Sequence, residues 1–239
     1  MSGHSHWAGI KQRKGVNDAK RANVFTKFGR IVTIAARDGG GNPDTNFKLK
    51  LAIEQARSMN MPKENIERAI KRGTGELKDG AEIVEAIYEA YGPGQVAMLI
   101  KAATDNKNRA FGEIRNILTK SGGKMVAAGA ISFMFKQVGN ISIAVEDGQD
   151  PYEIEMKAID AGAEDTIYAD GMITVYTKVE DFQKVKENLE KAGLKIEDAS
   201  LVYATTQKTK IDEDTKLDYE KLLEKLDDND DVQEIFDNL

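Results

Sequence analysis

The sequence predicts an α+β protein: an N-terminal helical bundle followed by two ferredoxin-like α/β domains, the last inserted into the middle one. Three observations carry this. Residues 1–78 place apolar side chains at 3- and 4-residue steps, the period of helices with one buried face. Residues 138–204 read strand, helix, strand, strand, helix, strand, the order of the split βαβ motif. Between them, 82–136 reads ββαβ and lacks one αβ unit, which the segment 212–239 can supply.

The first helix is predicted over 17–38, with Phe25, Phe28, Val32 and Ala35 inward. Lys20, Lys27, Arg30 and Arg37 fall within an arc of about 100° on the same helix, so another side carries a cationic stripe. Gly39-Gly40-Gly41 stops it, as a cap and flexible connector. A second helix runs through about 46–59 with Leu49, Ile53 and Ala56 inward. The third has Pro62 in its first turn, Ile66 and Ile70 on one face and Gly73 just past its end.

Residues 82–92 and 95–104 flank Gly92-Pro93-Gly94 and predict a hairpin. A helix follows at about 107–120, with Phe111, Ile114 and Leu118 inward, and Ile131–Phe135 is read as a strand. A strand at 141–146 then leads to Asp150-Pro151-Tyr152-Glu153, a capped helix start. Strands at 164–169 and 172–177 join through Asp170-Gly171, a strong hairpin signal. A helix at 180–192 and a strand at about 195–204 complete the motif.

The tail, 212–239, holds twelve Asp/Glu against three Lys. Leu217, Leu222, Leu223 and Leu226 nevertheless sit at helical spacing, and Val232, Ile235 and Phe236 suit a final short strand or helix. The expected domains are 1–78, a discontinuous unit of 79–137 plus 205–239, and an inserted 138–204.

Charge is unevenly distributed. Residues 1–75 hold eight Lys and seven Arg against three Asp and three Glu, a net +9, while the remaining 164 residues carry −15. A polyanion meets the local field of the basic end, not the average, so nucleic acid is the partner to expect. The chain has no Cys, which rules out disulfides and thiolate zinc sites. No stretch approaches the roughly 18–20 apolar residues of a membrane span. The basic terminus raises a mitochondrial transit peptide, but the helix between Pro62 and Gly73 reads as part of one continuous folded unit. A bacterial cytoplasmic protein is the plainer expectation.

The chain resembles the YebC family. The carriers are Gly3-His4-Ser5-His6-Trp7 with Ile10-Lys11, Arg13-Lys14, Asp18-Ala19-Lys20-Arg21, Phe25-Thr26-Lys27, Ala35-Ala36-Arg37 and Gly39-Gly40-Gly41. The run from Asn60-Met61-Pro62-Lys63 through Arg72-Gly73-Thr74-Gly75 is the most specific. Tyr91-Gly92-Pro93-Gly94, Thr104-Asp105-Asn106-Lys107-Asn108-Arg109 and Ala161-Gly162-Ala163-Glu164-Asp165 extend the match along the whole chain. It departs from the family pattern at His6, Gly9, Gln12, Ala110 and Gly129-Ala130-Ile131. The resemblance implies a helical domain followed by two α/β domains, and a role in gene expression without covalent catalysis. Two mechanisms attach to it: DNA binding at promoters, and ribosome binding that helps translation past difficult sequences such as proline runs.

The main phosphate-contact candidates are Lys11, Arg13, Lys14, Lys20, Arg21, Lys27, Arg30 and Arg37. Trp7 either stacks on a base or anchors the arm against the first helix. The second and third helices resemble a helix-turn-helix, in which Lys63, Asn65 and Arg68 would face bases, although Glu64 and Glu67 weigh against major-groove entry; Lys71 and Arg72 are further candidates for nucleic-acid contact. Asn106, Lys107 and Arg109 form a second candidate surface, with Thr104 or Asp105 capping the helix beside them.

Enzymatic chemistry has few materials: no Cys, both His at the extreme terminus, and no carboxylate constellation in a legible pocket. The expectation is a non-enzyme without cofactor or metal, contacting rRNA on the ribosome in preference to promoter DNA, with no membrane partner and an oligomeric state the sequence leaves open.

Overall fold

The computed structural model describes residues 18–239 apart from 79, 147 and 206, with side chains from residue 23 onward. Two compact units result: residues 134–206, and a larger one in which 18–133 joins 207–239.

The larger unit opens with α1 (Asp18–Gly39), α2 (Phe47–Ser58) and α3 (Lys63–Gly73). Val32, Leu49 and Ala56 are fully buried between them, with Ala35, Ala52, Ile53, Met61 and Ile66 around these and Phe25, Phe28 and Ile70 at the margin. Each fully buried Val or Leu stabilises the bundle by roughly 1.5–3 kcal/mol. The α1–α2 corner is pinned by Asn46, which accepts from the Leu49 amide at 3.1 Å and donates to the carbonyls of Ala35 and Gly40, both at 2.7 Å. Between α2 and α3 the chain reverses through Asn60 at φ 58°, with the Met61 amide reaching back to the Ala56 carbonyl at 3.0 Å. Asn tolerates that left-handed conformation, and Met61 then covers the helix end.

Gly73 lies inside α3, not past its end. A Cβ built there would stand 2.3 Å from the Thr33 carbonyl oxygen and 2.8 Å from the Ala36 Cβ. The glycine therefore serves a close crossing of α1 and α3, which the Thr33 hydroxyl ties by donating to the Ala69 carbonyl at 3.1 Å.

The rest of this unit is a four-stranded antiparallel sheet in the order β3-β1-β2-β8, formed by β1 (Val84–Tyr91), β2 (Ala97–Thr104), β3 (Lys124–Met125) and β8 (Val232–Asp237). Reading from β2 through α4 (Lys107–Lys120) and β3 to α7 (Glu213–Asp227) and β8 gives the split motif with its third strand supplied from the N-terminal side as β1. The C-terminal αβ unit thus completes the motif that 82–136 leaves unfinished. Its core joins Met98, Ile100 and Ala102 to Ile114 and Leu118 of α4 and to Tyr219, Leu222, Leu223 and Leu226 of α7, all fully buried. The Tyr219 hydroxyl donates to Asp237 at 3.0 Å.

Two expectations fail locally. Phe111 is 43% exposed, because α4 buries the line Ala110, Ile114 and Leu118 and leaves Phe111 at its rim. Residues 131–135 are not a separate strand. Ile131 is fully buried, but in a loop gathered by the Glu89 carboxylate, which accepts from the amides of Gly129 at 2.6 Å, Ile131 at 2.7 Å and Ser132 at 3.0 Å.

The second unit contains β4 (Phe135–Ala144), α5 (Pro151–Ala161), β5 (Asp165–Ala169), β6 (Met172–Thr177), α6 (Phe182–Lys191) and β7 (Ile196–Thr205). Its antiparallel sheet has the order β5-β6-β4-β7, the ferredoxin-like arrangement. Phe182, Val185 and Leu189 bury one face of α6, and Ile154 and Ala158 one face of α5.

Candidate nucleic-acid interface

Of the stripe predicted on α1, the described side chains Lys27, Arg30 and Arg37 engage protein groups. Lys27 is 7% exposed; its Nζ ion-pairs with Asp227 at 3.1 Å and donates to the Asp227 carbonyl. Arg30 donates to Asp231 at 2.6 Å and to the carbonyls of Asp230 at 2.6 Å and Ala103 at 3.0 Å. Arg37 pairs with Asp38 at 2.8 Å and Glu82 at 3.1 Å and reaches the Ile83 carbonyl. A helical arc tells which side chains share a side, not what that side meets; here Lys27 and Arg30 meet the acidic end of α7 and the turn to β8, and Arg37 meets the segment before β1.

Asp231 is the centre of this seam. It is 2% exposed and accepts from Arg30, from Arg109 at 2.9 Å and from the Thr104 hydroxyl at 3.0 Å. Arg109 is held further by Asp105 at 2.8 Å. Hydrogen bonding and attraction to Asp231 secure its positive charge. Through Arg30 this buried carboxylate ties the helical bundle to the α/β sheet, and removing Asp231 takes the shared acceptor from both guanidinium groups.

Other sequence candidates divide. Asn106, not Thr104 or Asp105, caps α4: its side-chain oxygen accepts from the amides of Asn108 and Arg109, both at 3.1 Å, while the Thr104 hydroxyl receives the Asn106 amide at 3.0 Å. Arg72 is half-buried and donates to the Ala81 carbonyl at 3.3 Å. Lys63, Arg68, Lys71 and Lys107 are exposed, and Lys63 has Glu67 at 3.6 Å. Trp7, Lys11, Arg13 and Lys14, and the side chains of Lys20 and Arg21, lie outside the described residues.

Three cations that spacing alone does not single out join the exposed set: Lys48, Lys50 and Arg57 of α2. Among the described residues no carboxylate comes within 4.0 Å of these three, nor of Arg68 or Lys71. The net charge of residues 1–75 includes them, but they form no regular stripe as the cations of α1 do. The outer side of α3 is mixed, since Glu64 and Glu67 are exposed beside its basic residues.

Among the described residues no group of three or more His, Asp or Glu side chains is arranged to hold a metal ion, and no helix is long and apolar enough to cross a membrane.

Comparisons with known proteins agree with this architecture. A probable transcriptional regulatory protein of Caldanaerobacter subterraneus subsp. tengcongensis is 47% identical over 239 residues, covering all of this chain and 98% of that one. One of Thermotoga maritima is 48% identical over 241 residues, covering all of this chain and 93% of that one. The crystal structure of a conserved hypothetical protein from Aquifex aeolicus superimposes with a TM-score of 0.88 at 44% identity, across 98% of this chain and 96% of that one. The family model for the TACO1/YebC N-terminal domain matches residues 5–76, and that for the second and third domains of the same family matches 83–239. With both models matched in order along one chain, the protein belongs to the TACO1/YebC family.

Proposed function

We propose that the chain is a non-enzymatic, nucleic-acid-binding regulator of gene expression that docks on ribosomal RNA in the cytoplasm. Following its family resemblance, it helps translation past difficult sequences such as proline runs. The observation that carries the docking is the sorting of cations within the bundle: Lys27, Arg30 and Arg37 of α1 are engaged by carboxylates of the chain itself, while Lys48, Lys50, Arg57, Arg68 and Lys71 stay exposed without a carboxylate partner among the described residues. The N-terminal segment with Trp7, Lys11, Arg13 and Lys14 adds further positive charge to the same end of the sequence. The acidic remainder keeps the rest of the chain off nonspecific polyanion. Glu64 and Glu67 on the outer side of α3 weigh against entry of that helix into the DNA major groove, where carboxylates would face phosphates.

Sucrose-gradient sedimentation of the tagged protein from native lysate tests this. Comigration with ribosomes that survives DNase and is lost when Lys50, Arg57 and Lys71 are reversed to Glu is the expected result. Absence from ribosomes with recovery on DNase-sensitive material would support promoter DNA instead, a reading that the names of the relatives favour. That alternative requires a preferred sequence bound well above random duplex.

A further inference from the structure

A second surface, away from the bundle in sequence, combines an open aromatic ring with unpartnered cations. Lys107, Phe111 and Arg115 follow at four-residue steps along α4, so they share one side of the helix over about 12 Å. Phe111 is 43% exposed. Its ring rests against Tyr88 of β1, with centroids 6.1 Å apart and planes at 57°. Tyr88 is in turn fixed by donating its hydroxyl to the Lys107 carbonyl at 3.2 Å. The nearby acids stand elsewhere: Asp105, ahead of the helix, and Glu113 on it engage Arg109, at 2.8 and 3.9 Å. Among the described residues neither Lys107 nor Arg115 has a carboxylate within 4.0 Å.

We infer that this side of α4 is a stacking site for an unpaired base of single-stranded RNA, with Phe111 as the platform and Lys107 and Arg115 on the flanking phosphates. Charge complementarity selects a polyanion, and the open ring selects one whose base faces are free. A duplex hides those faces, whereas RNA loops and ends present them. The inference rests on the chain being a nucleic-acid binder but uses residues distinct from those of α2 and α3. Arg109, on the same helix, takes no part because Asp231 holds it.

Fluorescence anisotropy with the full chain tests it, using a labelled single-stranded RNA of about 12 nucleotides, the DNA of the same sequence and a DNA duplex. Phe111→Ala should weaken the RNA about tenfold, with Phe111→Trp restoring it and duplex affinity unchanged. Phe111→Leu keeps apolar bulk without a π face and should lose affinity as well, which separates stacking from any folding effect of the alanine. Lys107→Gln with Arg115→Gln should lower the salt slope for single strands by about 1.4. RNA affinity unchanged in Phe111→Ala, or lost equally on duplex, would overturn the stacking site. Single-stranded DNA bound more tightly than RNA through Phe111 would overturn the assignment to RNA. Unchanged RNA affinity with lost ribosome comigration would assign the ring to a protein contact instead. Failure of the wild-type chain to comigrate with ribosomes refutes the translation reading alone and leaves the oligonucleotide result standing.

Discussion

Arg30 of α1 and Asp231 at the foot of β8 lie 201 residues apart in sequence and meet at 2.6 Å, with the carboxylate almost wholly buried. Charge thus decides two things in this chain. On α1 it closes the protein upon itself; on α2 and α3 it is left for a partner. Asp231→Ala leaves Arg30, Arg109 and the Thr104 hydroxyl without their shared acceptor, and should destabilise the larger unit by about 3–5 kcal/mol. Urea unfolding of the variant checks this, and a double-mutant cycle with Arg30→Met should show strong coupling between the two sites.

Gly73→Ala separates propensity from packing. In an exposed helix the change stabilises by about 1 kcal/mol. Here the new methyl group would meet the backbone of α1, 2.3 Å from the Thr33 carbonyl oxygen. Backbone cannot step aside as a flexible side chain can, so the expected sign reverses, with a loss of about 1–3 kcal/mol in thermal or denaturant unfolding.

Glu89 supplies a pH signature. Burial pushes its carboxyl up, but the amides of Ile131, Gly129 and Ser132 together outweigh that and hold it below the ordinary range. A depressed folded value means the contribution is fully present above the unfolded Glu value of about 4.3 and is lost as pH falls through the folded one. Glu89→Gln should therefore be less stable than the parent at neutral pH, with the gap closing under acid. Denaturant midpoints measured from pH 7 down to about 2.5 would show it; a gap independent of pH would contradict the assignment.

Much of this architecture is legible in local pattern. The α4 bounds, the hairpin turn at Asp170-Gly171 and the unfinished ββαβ run all follow from spacing and turn chemistry, because each depends on neighbours in sequence. Asp170 and Gly171 both take positive φ, at 51° and 75°, as the turn requires. What spacing does not carry is the identity of the opposing surface. Phe111 has the period of a core residue, yet it lies one step round from the buried line. The two-residue β3 is too short to show a period. The α1 stripe is legible as a stripe, but the acidic partners of Lys27 and Arg30 are contributed by the far end of the chain, and a charged helix side reads alike whether it meets phosphate or carboxylate.

That ambiguity yields the most discriminating prediction. Lys27→Glu with Arg30→Glu sets like charges against Asp227 and Asp231 at 3.1 and 2.6 Å. Its principal effect should be on stability, seen as a fall in the urea midpoint. Lys50→Glu with Arg57→Glu and Lys71→Glu touches no described ion pair and should lower that midpoint much less, through the helix-end charges of Arg57 and Lys71 alone. The same triple variant should weaken binding to any polyanion and reduce its salt slope by roughly 0.7–0.9 for each phosphate no longer neutralised, so by about 2–3 in all if each cation meets one phosphate. Both variants make the chain more acidic, the pair by four charges and the triple by six, so a purely long-range field would weaken binding in both, roughly in that proportion. Opposite outcomes, one in folding and the other in binding, follow only if the inward and outward cations have different jobs. Measuring both quantities on both variants, with affinity taken at several salt concentrations under conditions where each remains folded, decides the matter.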